Sequence, residues 1–235
     1  MSKNGLKGKV AIVTGGGHGG GAAIAKALAS AGMRVCISDL NPDRAQRVEN
    51  EIKAAGGDSM SVPADIGNKF QCVTIIESTR KRWGQIDIVI NGMLVAPTSS
   101  ILKIDEWDFQ RAFEVNLKGT FFMTQLCGRV MAEENGERGG LIVNLATTAG
   151  ITHSSPKKAS VCAMNGAIVG FTTESSREYA EYGLRVNAVL LDAETPDVEA
   201  AVSCVMALLT ADGSTINGAL FAPNGKRLEW SVVSA

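Results

Sequence analysis

The stretch VAIVTGGGHGGGAAIAKALASAG, at positions 10 to 32, limits how this chain can fold more than any other. VAIVT (10 to 14) has the β-branched character of a buried strand, and AAIAKALAS has the small apolar faces of a packed helix. Six of the seven residues between them are glycine. A glycine run joins strand to helix where the backbone must turn sharply and pass close to another group, because no Cβ stands in the way. Its amides then lie at a helix N-terminus, where unpaired N–H groups and the helix dipole attract an anion. Strand, glycine turn and helix form the first part of a βαβ unit, so a parallel sheet is expected.

The alternation of short apolar runs with amphipathic stretches continues to the end of the chain. Strands are predicted at 10–14, 34–38, 59–62, 86–90, 141–146, 185–191 and 219–222, with helices between them. Gly32, Gly56 and Gly183 follow helical stretches and suit left-handed helix ends. The reading is an α/β fold: one doubly wound, Rossmann-type domain over residues 1–235. It has a parallel seven-stranded sheet, helices on both faces and a ligand crevice at the strands' C-terminal ends. A length of 235 residues with 45% hydrophobic content fills one core, and no linker or repeat marks a second domain.

The 23 basic and 24 acidic residues nearly cancel and form no run of like charge, which excludes a nucleic-acid or anionic-membrane surface. No apolar run approaches the roughly 20 residues of a membrane span, and the start MSKNGLKGK carries no signal-peptide core. A cytoplasmic protein is expected. The five cysteines lack metal-type spacing and the two histidines, His18 and His153, stand far apart, so no metal site is expected.

Asp39 ends the second predicted strand, where a carboxylate can accept hydrogen bonds from an adenosine ribose and repel a 2′-phosphate, favouring NAD over NADP. The alternatives are a glycine turn that serves only helix packing and an Asp39 that only caps its strand. Here the sequence resembles the short-chain dehydrogenase/reductase family over essentially its whole length. The family's Thr-Gly-x-x-x-Gly-x-Gly loop is matched by Thr14, Gly15, Gly19 and Gly21, with Gly20 where a branched apolar residue is usual. Asp65 in PADIGN resembles the aspartate near adenine. VNLKGTFFMTQ carries the family asparagine as Asn116, and RVNAV (185 to 189) is a further hallmark. Asn91 opens the segment that relatives write Asn-Asn-Ala-Gly and this chain writes Asn91, Gly92, Met93, Leu94.

The resemblance implies hydride transfer between a nicotinamide and a carbon bearing OH or C=O, with a tyrosine as acid/base, a lysine that lowers its pKa and an orienting serine. An unperturbed tyrosine near pKa ~10 is a poor base at neutral pH without such a charge. Matched in register, the serine position is Thr148, the tyrosine Val161 and the lysine Asn165. Valine exchanges no proton and asparagine brings no charge. Tyr179 and Tyr182 lie 18 and 21 positions beyond Val161, about 27 Å or more along a helix rising ~1.5 Å per residue. Lys157 and Lys158 are expected to face solvent at the helix start, and His153 is the best remaining base candidate. Met93 and Leu94 crowd the nicotinamide side, Leu191-Asp192 replaces a Pro-Gly, and the substrate lid shrinks to AETPDVEA (193 to 200).

The expectation is therefore a catalytically inactive member, or pseudoenzyme. It would assemble with an active NAD-dependent paralogue, as a heterotetramer through helices near 105–134 and 157–182 and the last strand. Its NAD binding would be weak or absent. Among heteromeric relatives it resembles non-catalytic subunits of hydroxyacyl-CoA dehydrogenases of aromatic degradation. Two alternatives stand: a sensor of NAD or adenine nucleotide, and an oxidoreductase with altered chemistry at His153 or Thr148.

Overall fold

The computed structural model describes residues 5–153, 155–210 and 212–229. The order is β1 (Val10–Thr14), α1 (Gly19–Ser30), β2 (Arg34–Ser38), α2 (Pro42–Ala54), β3 (Asp58–Ser61), α3 (Lys69–Trp83) and β4 (Ile88–Asn91). Then come α4 (Glu106–Ala112), α5 (Thr120–Glu134), β5 (Gly140–Thr147), α6 (Ala159–Glu178), β6 (Leu184–Leu191), α7 (Val198–Leu208), β7 (Leu220–Phe221) and β8 (Arg227–Leu228). One sheet runs β3-β2-β1-β4-β5-β6-β7-β8. Every pairing is parallel except β7 with β8.

The expected seven-stranded parallel sheet is thus corrected to eight strands with an antiparallel edge. The turn Ala222–Lys226 makes it: Ala222 N–H donates to Lys226 O at 2.8 Å and Gly225 N–H to Ala222 O at 2.9 Å, with Gly225 at φ +78°. Asn-Gly at 224–225 is a hairpin signal that the strand reading passed over. The predicted glycine stops hold, with φ of +87° at Gly32, +83° at Gly56 and +69° at Gly183. Tyr179 and Tyr182 lie beyond α6, which ends at Glu178.

Central strands are buried on both faces, so their apolar runs are nearly continuous, as a parallel sheet covered by helices requires. Residues of β1, for example, alternate between two cores, Val13 packing toward α1 and Ile12 toward α5. A polar seam crosses one layer. Asn91 Nδ2 donates to Thr124 Oγ1 and Asn144 Oδ1 at 3.0 and 2.9 Å, and Asn144 Nδ2 donates to Thr172 Oγ1 at 2.9 Å. These bonds fix β4, β5, α5 and α6 against one another where side chains are fully buried.

Between α4 and α5 the helix widens to a π turn over Phe113–Gly119, and Asn116 lies inside it. The Thr120 hydroxyl donates to Asn116 O at 2.7 Å, satisfying a carbonyl that the widened ladder displaces. Cβ atoms built on Gly166 and Gly170 of α6 would meet nothing within 4 Å. Close packing within the chain does not require glycine at either position.

Candidate functional site

The sheet's C-terminal edge holds a cavity of about 960 Å³, at the switch point where β1 and β4 lie side by side and the crossovers diverge. The glycine turn forms one wall. Gly15 sits at φ +65°, and a Cβ there would lie 2.5 Å from Gly92 O; a Cβ on Gly21 would lie 2.2 Å from Gly15 O. Gly19 sits at φ +53°. Helix α1 starts with no side-chain cap and no acidic residue in its first turn, so its N-terminus is open to an anion. Thr14 serves the turn from behind, its Oγ1 accepting from Gly92 N–H at 3.2 Å.

Asp39 lines the cavity and is 6% exposed. Its Oδ2 accepts from Gly17 N–H at 3.1 Å and its Oδ1 from Asn41 N–H at 3.0 Å, which leaves lone pairs for a sugar hydroxyl. Two other expected cofactor residues are not in the cavity wall. Asp65 pairs through Oδ2 with Arg111 at 2.9 Å and through Oδ1 with Gly67 N–H at 2.9 Å, so α4 has claimed the carboxylate expected beside adenine. Asn91 belongs to the buried seam between the strands and α5.

The opposite wall is apolar. Met93, Leu94, Leu191 and Val161 all line it. Leu191 Cδ2 lies 2.9 Å from where a Gly20 Cβ would be, so Leu191 fills the space of the branched side chain missing at position 20. Asp192 also lines the wall, but its Oδ1 accepts from Thr195 N–H at 2.8 Å and Glu194 N–H at 2.9 Å. Those amides hold its carboxyl below the usual range and tie it to its own loop. Only residues 192–197 separate β6 from α7, whose Asp197 cap accepts from Ala200 N–H at 2.9 Å, so the lid is as short as expected.

The residues expected at the proton-transfer positions make structural contacts. Asn165, 1% exposed, accepts from Thr147 N–H at 3.2 Å and donates to Thr147 Oγ1 and Ala149 O, both at 2.8 Å. It staples α6 to the end of β5. Val161, 2% exposed, adds only surface. Thr148 is 1% exposed, is not itself in the cavity wall, and its Oγ1 accepts from Ala193 N–H at 3.0 Å. Asn116 gives both amide ends to one residue, donating to Val95 O and accepting from Val95 N–H at 2.7 Å each, and so pins the loop after β4. His153 is exposed and outside the wall, with Nδ1 2.9 Å from the Thr152 hydroxyl. Tyr179 Oη donates to Thr124 O of α5 at 3.2 Å.

The short chain dehydrogenase family matches residues 9–201. The chain belongs to this family. Among curated relatives, a 3-oxoacyl-[acyl-carrier-protein] reductase from Synechocystis is 31% identical over 185 residues, 78% of this chain and 73% of that protein. A sorbitol dehydrogenase from Cereibacter sphaeroides is 32% identical over 184 residues, 78% of this chain and 70% of that protein. A 3-ketoacyl-(acyl-carrier-protein) reductase from Brucella melitensis, solved with NADH, superposes with TM-score 0.85 at 26% identity, covering 92% of this chain and 97% of that one. A short chain dehydrogenase from Mycobacterium avium gives TM-score 0.90 at 25% identity, covering 98% and 88%.

As a short chain dehydrogenase, the chain keeps a cleft lined by Gly15, Gly19, Gly21 and Asp39 as well as by Val161, Leu191 and Met93. Two residues line the cleft where the sequence reading did not place them. Thr147, not Thr148, lines the cavity, while the Thr148 hydroxyl accepts from Ala193 N–H. Lys158, expected in solvent, is half-buried and lines the cavity, while Lys157 is exposed with φ +60°. The signal for Lys158 was its spacing, three positions before Val161 and so on the same helical face. Among the described residues no cluster of His, Cys, Asp and Glu could hold a metal ion, and no helix is long and apolar enough to cross a membrane.

Proposed function

We propose that this short chain dehydrogenase is a catalytically inactive subunit that assembles with an active NAD-dependent relative in the cytoplasm. The observation that carries the reading is Asn165: its amide is consumed by three buried hydrogen bonds, beside a valine that exchanges no proton. The altered-chemistry reading is not favoured, since neither His153 nor Thr148 is in the cleft wall. Assembly is supported by the apolar surface of α4 and the turn before it, where Leu102 is 93% and Trp107 71% exposed, with Phe109 beside them. A hetero-oligomer, with this chain as the supporting half of a heterotetramer, would cover that surface.

The pattern of loss resembles the non-catalytic subunit of the 2-[hydroxy(phenyl)methyl]-succinyl-CoA dehydrogenase of anaerobic toluene degradation, an enzyme that oxidises a hydroxyacyl-CoA to a ketoacyl-CoA with NAD. The test is co-expression with a family member that carries an intact tyrosine and lysine, followed by assay of each chain and of the pair with hydroxyacyl-CoA thioesters. A stable complex active only through the partner is the expected result; turnover by the isolated chain overturns the reading. A second reading, a sensor of NAD or adenine nucleotide, is favoured by the uncapped glycine turn and by Asp39. Calorimetric titration with ADP and NADH separates the two, since a purely supporting subunit binds neither.

A further inference from the structure

The apolar half of the cleft carries a charge with no partner among the described residues. Val95, Leu145, Val161, Leu191 and Val198 make its wall apolar, and Lys158 stands among them at the start of α6. Its backbone is fixed, because Ser99 bridges to Lys158 and Ser99 N–H donates to Lys157 O at 2.8 Å. Its ammonium has no hydrogen-bond or ion-pair partner among the described residues. Lys158 is half-buried, and a cation in a cleft with an apolar lining gains from an anion more than a fully exposed one does. Asp192 does not supply that anion: three donors from Glu194 and Thr195 hold its Oδ1 to its own turn. A second donor faces the same space. Thr147 lines the cleft, and its Oγ1 accepts from Asn165 Nδ2, which leaves its own proton free to donate.

We propose that this half of the cleft binds an apolar monocarboxylate, with Lys158 pairing its carboxylate, the Thr147 hydroxyl donating to it and the aliphatic wall burying its body. The two polar groups fix orientation and the wall supplies affinity, the usual division of labour in a small-molecule site. Binding occurs without chemistry, and to that extent the inference rests on the reading of the chain as catalytically inactive. The asparagine that replaces a catalytic lysine has a second use here, since its bond to Thr147 turns that hydroxyl into a donor.

The test is calorimetric titration of the full chain with octanoate and 4-phenylbutyrate, each beside its primary amide. The acids are expected to bind about tenfold or more tightly than the amides, the worth of a charge-assisted hydrogen bond. Lys158→Met should remove that preference and Lys158→Arg should retain it, each melting like the parent. Equal binding of acid and amide, no binding of either by the folded parent, or an undiminished preference in Lys158→Met overturns the proposal. Failure of the inactive-subunit reading would look different: NADH would accumulate when the isolated chain is given NAD and a 3-hydroxy derivative of the acid, whatever the titrations show.

Discussion

If Asn165 has become a staple, its removal should be felt as lost stability. Asn165→Ala deletes three hydrogen bonds at a site 1% exposed and leaves Thr147 N–H and Ala149 O without their partner. At ~1 kcal/mol for each bond the loss is about 3 kcal/mol, before any contribution from the space left behind. For a domain of this size 1 kcal/mol shifts the midpoint by roughly 2–4 °C, so a fall of about 6–12 °C is expected. Calorimetric melting at neutral pH measures it, with urea titration as a second reading of the same difference. Asn165→Asp sharpens the test. The carboxylate can still accept from Thr147 N–H, but it sets an acceptor against Ala149 O, so at neutral pH this variant should be no more stable than the alanine. A midpoint for Asn165→Ala within about 2 °C of the parent would refute the staple.

Gly20→Ile should destabilise by about 1–3 kcal/mol through overpacking against Leu191, and Leu191→Ala should recover most of that loss in a double-mutant cycle. Glu49 is 7% exposed; burial raises its carboxyl, but bonds from Lys53 and Ser61 outweigh it and hold the carboxyl below the usual range. Its contribution is therefore complete above the unfolded value of about 4.3 and is lost as pH falls through the lower folded value. Chemical denaturation between those limits should show a smaller acid-induced loss in Glu49→Gln than in the parent. Burial pushes the Cys36 and Cys72 thiols up to about 12, and Cys127 and Cys204 also upward, while Cys162 is half-exposed. Ellman's reagent should accordingly titrate Cys162 in the native protein and the other four only after unfolding.

What could be read without the structure was what depends on residue identity and period. The βαβ alternation, the glycine turn and the lack of a titratable side chain at Val161 and Asn165 are local facts, because a strand's pattern or a side chain's lack of a proton does not depend on its neighbours. The eighth strand was also legible, in Asn224-Gly225, although its two residues are too few to show alternation. Occupancy was not legible. Asp65 is spaced like a cofactor residue, yet Arg111, 46 positions away in sequence, holds its carboxylate. Leu191 fills the gap at Gly20 from across the sheet edge.

The sequence by itself determined the fold, the crevice at the strands' C-terminal ends and the absence of a tyrosine and lysine at the family positions. Tertiary structure decided what the residues there do: Asn165 became a three-bond staple, Thr147 rather than Thr148 came to line the cleft, and Lys158 lines it with no partner among the described residues. A hydrogen-bonding group is satisfied by whichever partner the packed fold brings within about 3 Å. That partner can come from any element, so it is settled only when the elements meet.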